Sequence, residues 1–321
     1  MATAESAEET TPAQGPAAEL STEAITAPEP AAVRPTPPAP GDARFIDVHY
    51  HVGPDAYLRR HTAATAGAIY AEHGGWVVLK NHLGSTAAQA WEARQQGLPV
   101  SGSIVLNDLA GGFDPRAVEQ AVIQHGDDSG LRLIVHLPTV TGRSHRSRLT
   151  RTPSHPLLAD GQRPLTVTDD RGTLRPEVRE LLRAARDLPV VISTGHADGH
   201  EVRLLVDEAV RLDLPRLMLN QPANPMTGLT YKDLVEVAAA EQVWTEQTAL
   251  TYLLEYQDWA DFADVLSLLP RVVYSSDLGQ PTQMDIASWL TWNQKIFHWA
   301  GLTPERIAEL IHTAPQEMLS L

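Results

Sequence analysis

Phe45-Ile46-Asp47-Val48-His49-Tyr50-His51 is an extended run that closes on a His-x-His pair. Side chains alternate between the faces of a β-strand, so Asp47, His49 and His51 are expected on one face and Ile46, Val48 and Tyr50 on the other. Two imidazoles one strand repeat apart can share a metal ion, for which neutral imidazole is the commonest ligand. Taken alone, such a pair is more often two polar residues at a strand end than a metal site.

Outward from this stretch one theme repeats, a short apolar β-rich run followed by an amphipathic helical segment. Strands are expected at 44–51, 76–82, 100–106, 131–137, 189–195, 216–221, 241–247 and 271–276. Trp76-Val77-Val78-Leu79 and Pro189-Val190-Val191-Ile192 are continuous apolar runs, as parallel strands buried on both faces require. Helices are expected at 86–97, 114–125, 176–188, 200–212 and 231–241. Eightfold strand-helix alternation points to an α/β fold, a (β/α)8 TIM barrel spanning 44–321. The rival is an open doubly wound sheet, but no Gly-x-Gly-x-x-Gly follows the first strand.

In such a barrel the site lies at the C-terminal ends of the strands. There the sequence places His49 and His51, then Lys80 and His82, His136, His196, Asn220, Glu246 and Asp277. Polar strand ends also arise simply because they meet solvent, a reading that explains any one of these residues better than it explains the set.

The chain has 321 residues, a formal charge of −15 and no cysteine. That charge argues against a nucleic-acid binder or an anionic-membrane binder. Without cysteine, any metal must be held by His, carboxylate or a lysine-derived oxygen. Residues 1–43 read as a disordered acidic tail rich in Ala, Pro and Glu. It has no apolar core of the kind a secretory signal carries, and no run of 18 or more apolar residues follows. A cytoplasmic protein is therefore expected, acting on a small molecule, with a homo-oligomer left open.

The His-x-His ending strand one, the His ending strand five and the Asp ending strand eight resemble the amidohydrolase superfamily of metal-dependent hydrolases. More narrowly, Val78-Leu79-Lys80-Asn81-His82, Ser193-Thr194-Gly195-His196 with Glu201 beyond, and Tyr274-Ser275-Ser276-Asp277-Leu278-Gly279-Gln280 resemble a poorly characterised, domain-of-unknown-function branch of it. The resemblance runs over roughly residues 44–321. It implies a divalent metal, zinc first with manganese or iron as alternatives, held by His49, His51, His196 and Asp277. Water acidified by the metal would attack a carbonyl or phosphoryl centre, with Asp277 as proton shuttle and His82 beside it. Superfamily members commonly carry a bridging carbamylated lysine on strand four and a histidine on strand six. Here those positions hold His136 and Asn220, which favours one ion over two. Lys80, on strand two, is then a metal-proximal ligand, an ammonium that polarises substrate, or half of an ion pair with Asp47 or Glu246.

The connection from Thr139 to Arg175 carries Arg143, Arg146, Arg148, Arg151, Arg163 and Arg171. Loops this long are lids or solvated segments. Arg143 and Arg146, nearest the strand-four mouth, are the expected contacts to an anionic substrate, together with His136, Asn220 and Glu246. Trp244, Tyr252, Tyr256, Trp259, Trp289, Trp292, Phe297 and Trp299 are read as packing or interface aromatics, and Gly279-Gln280-Pro281 as shaping the mouth. The expected activity is hydrolysis of an amide or cyclic amide C–N bond, then of an ester or lactone. The alternatives are metal-assisted decarboxylation in the same pocket, or a catalytically silent binding protein.

Overall fold

The computed structural model describes residues 36–143, 148–158 and 160–321. The expectation of a disordered tail falls, for residues 1–35, outside them. The first turn among the described residues is a 3-10 helix at Pro40–Asp42, directly before the first strand.

Nine parallel strand segments form the barrel wall: β1 Phe45–His51, β2 Gly75–Lys80, β3 Val100–Ser101, β4 Ser103–Val105, β5 Leu133–His136, β6 Val190–Ser193, β7 Leu217–Leu219, β8 Val243–Thr248 and β9 Val272–Ser275. They amount to the eight expected strands, because β3 and β4 are one strand interrupted at Gly102. Pairing runs β1-β2-β3 and then β4 through β9 in order. The ring closes between its ends, where Leu278 O accepts from His51 N at 2.8 Å and His49 O accepts from Asp277 N at 2.9 Å. Helices pack outside the wall, among them α1 Ala63–Glu72, α2 Ala87–Arg94, α3 Pro115–His125, α4 Pro176–Arg186, α5 Gly199–Arg211 and α6 Tyr231–Val237. Three N-caps show why several begin where they do: Thr62, Asp114 and Asp198 each accept from a first-turn N–H. After α7 Ala249–Leu253 and α8 Trp259–Leu268, α9 Ile286–Trp299 brings the expected aromatics together. Tyr252 stacks on Phe262 and Trp289 on Tyr274.

Ile46, Val48, Val78, Ile134, Val191, Met218, Trp244 and Val273 form one apolar cluster. Drawn from strands all around the ring, it is the barrel lumen. The last elements, α10 Pro304–Ala308, a π turn at Glu309–Thr313 and α11 Ala314–Leu319, add Ala314, Met318 and Leu319 to it. Tyr50, Val77, Leu79, Val135, Ile192 and Tyr274 belong to a second cluster facing the helices.

The expected alternation along β1 does not hold. The β1-β2 register slips between Asp47 and Tyr50. Asp47 points away from the histidines and takes the hydroxyl of Tyr70 on α1 at 2.5 Å. Val48 stays in the lumen while His49 and His51 reach the site. The physical reason is a bulge, which lets strand parity change and re-aims the side chains after it. Asp47 Oδ1 holds the bulge by accepting from His49 N at 3.1 Å and Ser276 N at 3.0 Å.

Candidate metal centre

His49 and His51 are delivered by the end of β1, and their Nε2 atoms lie 3.3 Å apart. Asp277 follows β9 in a left-handed backbone conformation, φ 53°, that aspartate tolerates better than most residues. Its Oδ1 stands 3.0 Å from His51 Nε2 and 3.2 Å from His49 Nε2. The next turn needs Gly279, because a Cβ there would come 2.0 Å from His51 O. His196 is turned into the mouth by Gly195, φ 59°, where a Cβ would come 2.1 Å from Leu137 O.

Behind the three groups stands Glu246, wholly buried on β8. It accepts from His49 Nδ1 at 2.8 Å, Ser275 Oγ at 2.7 Å and Gln221 N at 3.2 Å. Burial opposes its ionisation, yet His49, Lys80 and the Ser275 hydroxyl hold the carboxyl below its ordinary range. With Nδ1–H committed to Glu246, His49 presents a lone pair at Nε2. A carboxylate behind an imidazole is the usual orienting partner of a metal-ligating histidine.

Burial pushes the pKa values of His51, His82, His136 and His196 down, and neighbouring cations add to the effect: Arg59 beside His51 and His82, Lys80 beside His136 and His196. These rings are neutral at pH 7, the form that donates a lone pair. Burial raises the Asp277 carboxyl against the pull of His49 and Lys80. Lys80 is pushed down to about 8, first by burial, with Glu246 and Asp277 opposing.

Lys80 Nζ makes a long contact, 3.4 Å, to Asn220 Oδ1, and no ion pair of Lys80 occurs among the described residues. His136 gives Nδ1 to Ser193 Oγ at 2.8 Å, and its buried Nε2 has no partner. His196 Nδ1 is likewise buried and unpartnered. His196, Lys80 and His82 line the same pocket as His51 and Asp277. Arg143 is not part of it. Its guanidinium pairs with Asp198 and Glu201, each at 2.9 Å, at the start of α5. Glu201 also takes the Thr168 hydroxyl at 2.7 Å, so both ends of the long connection are tied to one buried carboxylate. The expectation for Arg146 lies outside the described residues.

Arg59 and Leu149, which the sequence reading passed over, complete the pocket with Arg151, named there only as one arginine of the long connection. Arg59 lines it from the β1-α1 loop, and Leu149 and Arg151 line it from the long connection. That connection lies over the β1-α1 loop, Thr152 O accepting from Leu58 N and Ala56 O from Ser154 N, both at 3.0 Å. The cavity there is ≈ 30 Å³, small beside the other cavities of the fold. A cavity of ≈ 580 Å³ elsewhere, between Arg44, Tyr274 and Trp289, contains none of the predicted site residues.

The donor set can be tested against a cation at two places. His49, His51 and Asp277 offer three ligand atoms within 4.8 Å of one another. That set fits a divalent ion. His51, Asp55 and His82 are equally close, but Asp55 is already spent. Its Oδ1 accepts from Ala56 N at 2.6 Å and His82 N at 2.5 Å, and its Oδ2 from Arg59 Nε at 2.5 Å. A guanidinium occupies the charge balance that a second ion would need.

Residues 44–246 match the family of unknown function DUF6282. The chain belongs to that family. For this DUF6282 protein no curated protein gives a match. Among solved structures it is similar to a Pseudomonas putida protein assigned as a 2-pyrone-4,6-dicarboxylic acid hydrolase, with 14% identity, TM-score 0.54, and 85% of this chain and 96% of that one covered. A variant of the organophosphorus hydrolase of Deinococcus radiodurans matches at 18% identity and TM-score 0.51, over 88% and 95% of the two chains. An organophosphate hydrolase engineered from a weak promiscuous lactonase matches at 17% and 0.51, over 88% and 97%. At these identities the likeness establishes the fold alone, the TIM barrel that the strand-helix alternation anticipates. No described helix is long and apolar enough to cross a membrane.

Proposed function

We propose that this protein is a metal-dependent hydrolase of the amidohydrolase type, using one divalent ion, zinc foremost. His49, His51 and Asp277 would hold it, with His196 on the pocket side. The observation that carries the reading is the approach of His49 Nε2, His51 Nε2 and Asp277 Oδ1 within hydrogen-bonding range, backed by Glu246 on His49 Nδ1. An ion bound there supplies Lewis acidity and acidifies water at neutral pH. Asp277, its carboxyl raised by burial, accepts a proton and returns it to the leaving group. Lys80, which lines the pocket, would donate to a carbonyl oxygen of the substrate. The bond class is amide or cyclic amide first, then ester or lactone.

Elemental analysis of protein purified without chelator tests this. About one zinc, manganese or iron per chain is expected, falling sharply in His49→Ala and Asp277→Ala. No uptake after adding zinc or manganese back would sink the proposal and leave a binding protein. Screening should follow amide and lactone hydrolysis and, in parallel, release of CO2, which would identify a decarboxylase in this pocket.

A further inference from the structure

The proposed hydrolytic centre does not account for two cations that line its pocket, Arg59 and Arg151. Arg59 is an unusual residue to find there. Its side chain is 3% exposed, and its Nε is held by Asp55 at 2.5 Å. Among the described residues its terminal nitrogens carry no hydrogen bond, which leaves their N–H donors available to the pocket that Arg59 lines. Arg151 reaches the same pocket from the cover, its guanidinium 5.3 Å above the Tyr57 ring. It has no ion pair among the described residues, in a chain whose formal charge is −15. The Asp55 carboxylate balances one of the two guanidinium charges. Lys80 and Asp277 line the same pocket and add one charged side chain of each kind, so its cations outnumber its carboxylates and several N–H donors face a cavity that would receive substrate.

Resting on the hydrolase reading above, we infer that the substrate carries a carboxylate beside the bond to be cleaved, bound between Arg59 at the wall and Arg151 on the cover. Two guanidinium groups on one carboxylate give charge-assisted, geometrically selective recognition. The conclusion replaces Arg143, whose charge is consumed by Asp198 and Glu201, as the anion contact.

The test is calorimetric binding of succinate, its neutral diamide succinamide, and inorganic phosphate to the full chain, both zinc-loaded and chelator-treated. Succinate should bind on the order of tenfold more tightly than succinamide, and Arg151→Gln should erase most of that preference, with Arg151→Lys recovering part of it. The exposed position of Arg151 leaves folding of these variants intact, which thermal melting checks. An unchanged preference in Arg151→Gln, no binding of succinate at all, or tighter binding of phosphate than of succinate would each overturn the inference. The metal-free arm separates the two proposals. A succinate preference that survives in a protein unable to take up zinc sinks the hydrolase and keeps the anion site, whereas zinc uptake with no effect of Arg151→Gln does the reverse.

Discussion

At His49 the two ring nitrogens have different duties. Nδ1–H is fixed by Glu246 at 2.8 Å, and Nε2 is left to face His51 and Asp277. Glu246→Gln preserves shape but removes the charge and reduces the basicity of that imidazole. Metal affinity is expected to fall about 10- to 100-fold, with some loss of melting temperature even without metal, because the new amide NH2 faces a buried donor such as Gln221 N. Competition with a chromogenic chelator measures it, and an unchanged affinity would show that His49 is not a ligand. The sequence named His49, His51, Glu246 and Asp277 individually, because residues at strand ends can be read by counting. It did not reveal which nitrogen of each ring is free. Arg59 escaped for a related reason: an Asp55-x-x-x-Arg59 spacing in a loop carries no signal until the loop folds over the pocket.

The element that decides the site is β1 with its bulge. Strict alternation would have put Asp47 beside the histidines; instead its carboxylate is used to hold backbone N–H groups of His49 and Ser276 and the hydroxyl of Tyr70. Asp47→Ala leaves those buried donors unmatched, at about 1–3 kcal/mol for each orphaned group. We expect a destabilisation above 2 kcal/mol in denaturant melts, with weaker metal binding in whatever folds, since His49 loses its backbone anchor. A variant with parental stability would mean that water replaces the carboxylate. Hydrophobic periodicity exposed the eight strands and five of the helices, α2 to α6, to within about four residues of their ends, whereas the bulge was illegible because it depends on β9 reaching β1 across the closed barrel.

At the scale of the whole molecule, acid is the expected weakness. His51, His82, His125, His136 and His196 all have folded pKa values below 6.5, chiefly through burial, with His125 pushed to about 4. A histidine depressed in the fold is neutral there but takes up a proton when unfolded. Its contribution is therefore complete above pH 6.5 and lost as the pH falls below it. The loss runs at up to about 1.4 kcal/mol per pH unit for each histidine. Asp47 and Asp277, raised by burial, titrate in the opposite sense and offset part of this. Chelator-treated protein should lose stability steeply between pH 6.5 and 5 in urea titrations. His125→Gln, remote from the site, should make that slope shallower by about one proton; an equal slope would show that His125 is already accessible in the fold.

Sequence alone determined that this chain closes eight β/α units into a barrel and that imidazoles and carboxylates gather at its carboxyl end. Both follow from local periodicity and from the rule that strand ends share one rim. Tertiary structure alone decided that Asp47 is a structural acceptor, that Arg143 is spent on α5, that Arg59 neutralises Asp55, and that Arg151 sits over the pocket. Those outcomes depend on which charges meet across loops far apart in the chain, and pairing of that kind leaves no period in the sequence to read.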